Sequence, residues 1–412
     1  MEVQLASWLQ GSAAGQRAQE ILRRCVHCGF CTATCPTYQL LGDELDGPRG
    51  RIYLMKELVE GAAVGRGTQG HLDRCLTCRN CETTCPSGVQ YGELVDIGRE
   101  LIEARVKRPL SEAWTRGVLR WFLPSVFFAP AYRLGLLFRP LLPKKAIASK
   151  LIVSRKPRPL PPKGQGKKVI MLRGCVQPSM LPNVDVATAR VLAAIGLEAR
   201  WEEGSGCCGA VRQHLADPHG ALNDARRNID AWWPSIAAGE VEAVMVNASG
   251  CAVMVKDYGR LLAEDPAYAE RAAAVSRLAV DPIEYLEPHM EKIRQKLVKK
   301  GVNDAAIAYH PPCTQQHGMQ IRGRVEAFLR SIGASLVSFG DGHLCCGSAG
   351  TYSVLQPDIA KALLDRKLSA IQAARPDLIL SANVGCISHL ASDARVPVMH
   401  WLEWLDDQLT QD

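Results

Sequence analysis

The sequence predicts an α + α/β chain, with an N-terminal α-helical module followed by two repeated α/β domains. Three observations predict it. The run C-x2-C-x2-C-x3-C-P occurs twice, from Cys25 and from Cys75, with helical patterning between and after the two copies. Eight further cysteines form two sets of four: Cys175, Cys207, Cys208 and Cys251, then Cys313, Cys345, Cys346 and Cys386. Around both sets short apolar runs alternate with longer helical ones, the pattern of parallel sheets covered by helices. A length of 412 residues has room for two to four domains, and 47 % apolar with 22 % charged residues excludes a disordered chain.

In the first module, three cysteines at steps of three wrap a short turn around one face of an iron–sulfur cubane. The fourth, followed by proline, leaves the turn and reaches the other cluster. That crossing predicts one [4Fe–4S] cluster on Cys25, Cys28, Cys31 and Cys85, and a second on Cys75, Cys78, Cys81 and Cys35. A zinc ribbon expects two separated C-x2-C pairs instead. The start, MEVQLASWLQGSAAGQ, shows no basic stretch leading an apolar one, so a cytoplasmic chain is expected and disulfides are not. Pro48, Ile52, Met55, Leu58 and Val59 predict a helix stopped by Gly61; Leu94, Ile97, Leu101 and Ile102 predict another that ends before Pro109.

The later cysteines repeat with an offset of 138 residues at three of their four positions, and each pair is followed by glycine, giving C-C-G twice. Duplication explains this. KVIML (168–172), VEAVMV (241–246), AIAYH (306–310) and DLILSA (377–382) read as buried strands that end just before cysteines. Helices are expected at 183–195, 219–238, 320–332 and 357–373. Ligands of such sheets collect beyond the carboxyl ends of the strands, so cysteines dozens of residues apart can converge there. Glycine beside each set suits close backbone approach to a cofactor. The residue types leave three occupants open: a further iron–sulfur cluster in each domain, a zinc ion in each, or a metal-free redox dithiol. His310, His317 and His343, near Cys313 and Cys345, are ligands, proton relays or plain structural residues. Trp232, Trp233, Trp401 and Trp404 are read mainly as core.

The segments CVHCGFCTATCPTYQLLGDELDGPRGRIYL (25–54), RCLTCRNCETTCPSGV (74–89), NIDAWWP (228–234), ASGC (248–251) and HLCCGSAGTY (343–352) carry a family resemblance. An eight-cysteine helical ferredoxin followed by two C-C-G domains resembles the iron–sulfur subunits of the heterodisulfide reductase, anaerobic glycerol-3-phosphate dehydrogenase, lactate-utilisation and glycolate oxidase group. These segments are most similar to the glycolate oxidase iron–sulfur subunits. The resemblance implies a bacterial complex in which an FAD-containing partner oxidises glycolate or another 2-hydroxy acid. This chain would hold no catalytic residue of that step and would pass the electrons to a respiratory acceptor. The alternative is a thiol/disulfide oxidoreductase acting at a C-C-G site. Heterodisulfide reductase-type domains carry a fifth cysteine; here Ala248 and Met254, and Asn383 and His389, stand at the flanking positions.

No G-x-G-x-x-G follows a strand, and GQGKK (164–168) lacks P-loop spacing, so a bound dinucleotide or flavin is expected elsewhere. The expected domains are 1–108, a connector at 109–166, and C-C-G domains at 167–300 and 301–412. The connector region is distinctive. Residues 113–184 hold fourteen Lys or Arg and no acid, while the rest of the chain has 35 basic against 42 acidic residues. Its apolar run 121–142 is broken by Pro124, Pro130 and basic residues, so it cannot span a bilayer. Three roles stay open for 113–168: peripheral contact with the inner face of the cytoplasmic membrane, a clamp on the flavoprotein, or a packed linker. Nucleic acid is not expected, because no aromatic platform or recognition motif accompanies the charge.

Overall fold

Ser12 opens the first long helix, Ala13–Arg23, with its hydroxyl accepting the Gly15 N–H at 3.0 Å. Pro48 begins the helix Pro48–Glu60, and Gly61 ends it in the left-handed region at φ 87°. With Arg66–Asp73 and Tyr91–Arg105 these helices enclose one apolar core, in which Ile21, Leu22, Met55, Leu58, Leu72 and Val95 are fully buried. Cys25, Cys75 and Cys81 belong to that same core. The computed structural model describes residues 1–141, 151–162, 166–298 and 304–410. Part of the apolar run, Gly164 and Gln165 of GQGKK and the domain boundary at 300/301 fall outside these residues.

Two parallel sheets follow. The first has strands β1 (Lys168–Met171), β2 (Glu198–Arg200), β3 (Val241–Met245) and β4 (Ala279–Val280) in the order β2-β1-β3-β4. The second has β5 (Ile307–His310), β6 (Leu378–Ser381) and β7 (Val398–His400) in that order. A parallel bridge from Ile307 to Leu336 stands beside β5 where β2 stands beside β1, so the two sheets share one topology. Helices Pro182–Ala194, Pro218–Ala237 and Pro357–Ala373 match three of the expected stretches, and Arg324–Ser331 covers the C-terminal part of the fourth.

One apolar cluster runs through both sheets, from Val169, Met171 and Met245 to Ile307, Leu380 and Trp401. Its extension is the C-terminal helix Trp401–Thr410, which packs on Pro182–Ala194 of the other copy. Asn183 donates to Glu403 at 2.9 Å across that contact, and Arg190 pairs with Asp406 at 2.9 Å. Trp232, Trp401 and Trp404 are buried and Trp233 half-buried, as the core reading expects.

The connector forms two helices, Leu110–Phe122 and Phe128–Phe138. Several of its cations are already used internally. Arg116 pairs with Asp73 at 2.8 Å, Arg155 with Asp407 at 2.5 Å, and Arg158 with Asp406 at 3.3 Å. Its apolar side chains divide: Phe128, Tyr132 and Leu151 form a small buried cluster, while Leu110, Trp114, Trp121, Val126, Phe127 and Leu137 are all more than half exposed. No described helix is long and apolar enough to cross a membrane.

Candidate metal centres

All sixteen cysteines are free thiols. In the first run, His27 and Gly29 adopt positive φ around Cys28, and in the second Thr77 and Arg79 do the same around Cys78. The left-handed residues curl each C-x2-C-x2-C tightly, and the β-branched Thr77 does so under strain. Cys25, Cys28, Cys31 and Cys85 line a single recess together with Pro48, Ile52, Pro86 and Tyr91. Cys28 is exposed there, and Val26 and Phe30 beside it are 67 % and 61 % exposed, so this centre opens to the surface through an apolar rim.

Cys81 also borders that recess, which makes the second centre its neighbour. Burial, then the charge of adjacent cysteines, pushes the Cys78 and Cys81 thiols well up; Cys35 and Cys75 are among those neighbours for both. Crowded buried thiols with raised pKa values favour a cation that takes up their charge, and this donor set fits a cluster of iron. Polar groups surround it. Tyr91 donates its hydroxyl to Cys75 Sγ at 3.7 Å, and Thr37 Oγ1 lies 3.2 Å from Cys35 Sγ. Arg51, 1 % exposed, donates to His71 O at 2.7 Å and to Thr37 Oγ1 at 3.1 Å, and it feels the charge of both Cys75 and Cys35. Arg99 holds the loop by donating to Cys75 O at 2.6 Å.

In each C-C-G domain the cysteines come together where the strands end. Cys175 follows β1, and Cys251 lies in the first turn of the helix Ser249–Lys256 after β3. Cys313 and Cys386 hold the matching places after β5 and β6. The pairs Cys207–Cys208 and Cys345–Cys346 are buried. Gly209 and Gly347 follow them at φ 92° and 93°, and donate to Cys207 and Cys345 Sγ, each at 3.4 Å. A Cβ on Gly209 would stand 2.8 Å from Ala221 O, and on Gly347 2.6 Å from Ala360 O. At the C-C-G glycines the backbone therefore lies close against the helices Pro218–Ala237 and Pro357–Ala373. In the first domain hydrogen bonds from Cys175 and Cys208 hold the Cys207 thiol well below its usual value. In the second, Cys313 donates to Cys345 at 3.8 Å, and that bond and burial push Cys313 up. Four converging soft donors per domain fit a thiophilic metal or cluster, and the closed pairs suit a bulky disulfide substrate poorly.

The second ferredoxin centre and the second C-C-G centre adjoin. Cys78 packs in one apolar cluster with Leu76, Cys313, Cys345 and Tyr352. Around this contact Asn80 donates to Thr34 O at 3.0 Å and to His343 O at 3.2 Å, and Tyr352 donates to Arg74 O at 2.9 Å. The three histidines separate. His317 is satisfied: its Nδ1 lies 3.0 Å from the Thr83 hydroxyl and its Nε2 donates to His343 O at 2.9 Å. Only the backbone of His343 enters those bonds. His310 is buried at 1 % and lies with Cys346 and Cys386 in a group whose ligand atoms are all within 4.8 Å. Arg51 and Lys367, two of the buried cations near the centres, carry no sequence signal beyond a charge on the apolar side of a helix.

The comparisons agree with this layout. The model of a 4Fe-4S dicluster domain matches residues 21–89, and that of a cysteine-rich domain matches 169–256 and 307–391. The chain is 49 % identical to the glycolate oxidase iron-sulfur subunit of Escherichia coli (strain K12), over 100 % of both chains. It is 30 % identical to the probable glycolate oxidase iron-sulfur subunit of Bacillus subtilis (strain 168), over 89 % of this chain and 87 % of that one. Lactate utilization protein A of Geobacillus thermodenitrificans is 27 % identical over 58 % of this chain and 98 % of its own. Half identity along the whole chain, on a scaffold that gathers its cysteines into four adjoining groups, makes this an iron–sulfur electron-transfer subunit that belongs to the glycolate oxidase iron–sulfur subunit family.

Proposed function

We propose that the chain takes electrons from a partner subunit that oxidises glycolate or a related 2-hydroxy acid on FAD, and relays them to a respiratory acceptor. Cys25, Cys28, Cys31 and Cys85 hold one [4Fe–4S] cluster; Cys75, Cys78, Cys81 and Cys35 hold the other. Cys175, Cys207, Cys208 and Cys251, and Cys313, Cys345, Cys346 and Cys386, each hold a further iron–sulfur cluster. The observation that carries this reading is the contact of Cys78 with the Cys313 and Cys345 side of the second C-C-G centre, which makes the two halves one conduit. The exposed apolar rim at Cys28 is the natural place for a donor to dock, and the buried second centre the next step. The units are 1–108, the connector 109–166, and the C-C-G domains 167–300 and 301–412.

Iron, zinc and acid-labile sulfide, measured per chain after anaerobic purification, test the cofactors. Sixteen irons, four in each of four clusters, are expected, at roughly four per [4Fe–4S] cluster. About eight irons with two zincs would make the C-C-G sites structural, and a colourless iron-free chain would overturn the reading. Flavin should appear only when the partner co-purifies, and glycolate should bleach the cluster absorbance only in that complex.

We propose a cytoplasmic chain with peripheral contact to the membrane through the connector. Support comes from the exposed Trp114, Trp121, Phe127 and Leu137, an apolar and aromatic set of the kind that seats in a lipid interface.

A further inference from the structure

The two C-C-G domains share strand order, the spacing of their first three cysteines and the glycine after each pair, so each is a control for the other. Among the buried positions at which they differ, two exchange an aliphatic residue for an ionisable one beside the cysteines. His310 ends β5 three residues before Cys313; the matching place before Cys175 in the first copy is Leu172. Lys367 lies on the helix Pro357–Ala373; the matching place on Pro218–Ala237 is Ile229. The first copy is aliphatic at both positions and both residues are buried there, so the fold does not require a polar side chain at either.

His310 is 1 % exposed, and neither Nδ1 nor Nε2 has a hydrogen-bond partner among the described residues. Leaving a buried polar group unpaired costs stability, which a structural imidazole would not sustain when leucine serves the same position. Its backbone is fixed: β5 and β6 pair His310 with Ser381, whose hydroxyl donates to His310 O at 2.9 Å. The ring is therefore held beside Cys346 and Cys386, with one ligand atom from each of the three side chains within 4.8 Å of the others. Lys367 is also 1 % exposed, donates its ammonium to Asp341 O, and feels the charge of Cys345, Cys346 and Cys313. A thiolate-rich centre beside a buried cation, with an unpartnered imidazole pointing at two of its sulfurs, is a mixed coordination environment.

We propose that His310 is a nitrogen ligand of the metal at the second C-C-G centre, alongside Cys346 and Cys386, while the first centre is ligated by cysteine alone. This rests on the reading that the C-C-G sites hold metal. Where the imidazole takes the coordination position of one of the other two cysteines, Cys313 or Cys345, it lowers the negative charge at the metal and raises its reduction potential, as does a nearby ammonium. The second centre, next to the ferredoxin pair, is then the higher-potential of the two.

The test uses the full-length protein, purified anaerobically after growth with 15N-histidine. If the centre is iron–sulfur, pulsed EPR of the reduced protein should show a strong 15N coupling. It should vanish in His310→Leu, which installs the residue of the first copy, and persist in His317→Gln. If the centre is zinc, X-ray absorption should show a nitrogen shell near ~2.0 Å beside sulfur near ~2.3 Å, lost in the same variant. His310→Cys should retain the metal while losing the nitrogen signal, and should lower the midpoint potential of an iron–sulfur centre. Metal present without histidine coupling in the unsubstituted protein, or coupling unchanged in His310→Leu, overturns the assignment while leaving the metal reading intact. C-C-G sites found metal-free by analysis overturn both.

Discussion

Arg51 shows what one side chain contributes that its position in a helix does not announce. The helix Pro48–Glu60 was legible from proline, apolar spacing and glycine, and in that pattern Arg51 is simply a neighbour of Ile52. In the structure its guanidinium is buried against Asp46, with Nη2 3.4 Å from Oδ1, while Arg74 and His71 approach the same carboxylate at 3.0 Å each. The cation thus sits between an acidic residue and the thiolates of Cys35 and Cys75. Arg51→Met should destabilise the chain by about 3–5 kcal/mol, the cost of breaking one side of a buried ion pair, as read by denaturant midpoints. It should also shift the second ferredoxin centre to lower potential in an EPR-monitored titration, because a positive charge beside the cluster is gone. An unchanged potential would mean that Arg51 serves packing alone. The cysteines themselves were legible by spacing; the charges that tune them were not, since Asp46 and His71 meet Arg51 only through tertiary packing.

At the scale of elements, the central strands were readable and the edges were not. β1, β3, β5 and β6 are buried apolar runs, whereas β2, β4 and β7 are two or three residues long, too short to display an alternation. The connector is the opposite case. Its apolar and basic character was plain, yet the partition of its charges depended on distant acids, Asp73 on one side and Asp406 and Asp407 on the other. With those cations used internally, membrane contact through Leu110–Phe122 and Phe128–Phe138 should be driven by apolar burial more than by charge. Trp121→Glu and Leu137→Glu should each weaken retention on phospholipid vesicles about tenfold or more, from about 1.5–3 kcal/mol of lost burial per side chain. Raising salt should change the unsubstituted protein little. Vesicle flotation reads both, and strong salt sensitivity or unaffected variants would favour a protein partner for this face.

At the scale of the whole molecule, the two C-C-G domains are closed against one another by a polar contact buried in their shared core. His400, at the end of β7, accepts the Leu402 N–H on Nδ1 at 3.2 Å and donates from Nε2 to Asn247 O at 2.9 Å, just beyond β3 of the other copy. Burial lowers its pKa to about 4, so the ring folds neutral. The unfolded chain binds the proton from pH 6.5 downward while the folded chain does not, so this group's stabilisation is lost as pH falls from 6.5 toward 4. Two carboxyls face the same contact and act in the other direction. Burial raises Asp185 to about 6, against hydrogen bonds from Asn247 and Gln177, and raises Glu403, which accepts the His400 N–H at 3.2 Å. Both are stabilised in their protonated folded form as pH falls, so the sum conceals the histidine. Comparison of His400→Gln with the unsubstituted protein exposes it. Between pH 7 and pH 5 the variant should escape a loss of about 2 kcal/mol, the integral of a shift from 6.5 to about 4. Asp185→Asn should change the slope with the opposite sign between pH 4 and 6. Parallel stability–pH curves for His400→Gln and the unsubstituted protein would show that the ring titrates freely and does not clamp the domains. The clamp bears on electron transfer because Ser249, next to the Cys251 helix turn, donates its N–H to Ala382 O at 3.1 Å and meets the Thr314 hydroxyl at 2.7 Å beside Cys313. The seam that His400 holds closed is therefore the one that joins the helix turn of Cys251 to Ala382 and to Thr314, the neighbour of Cys313.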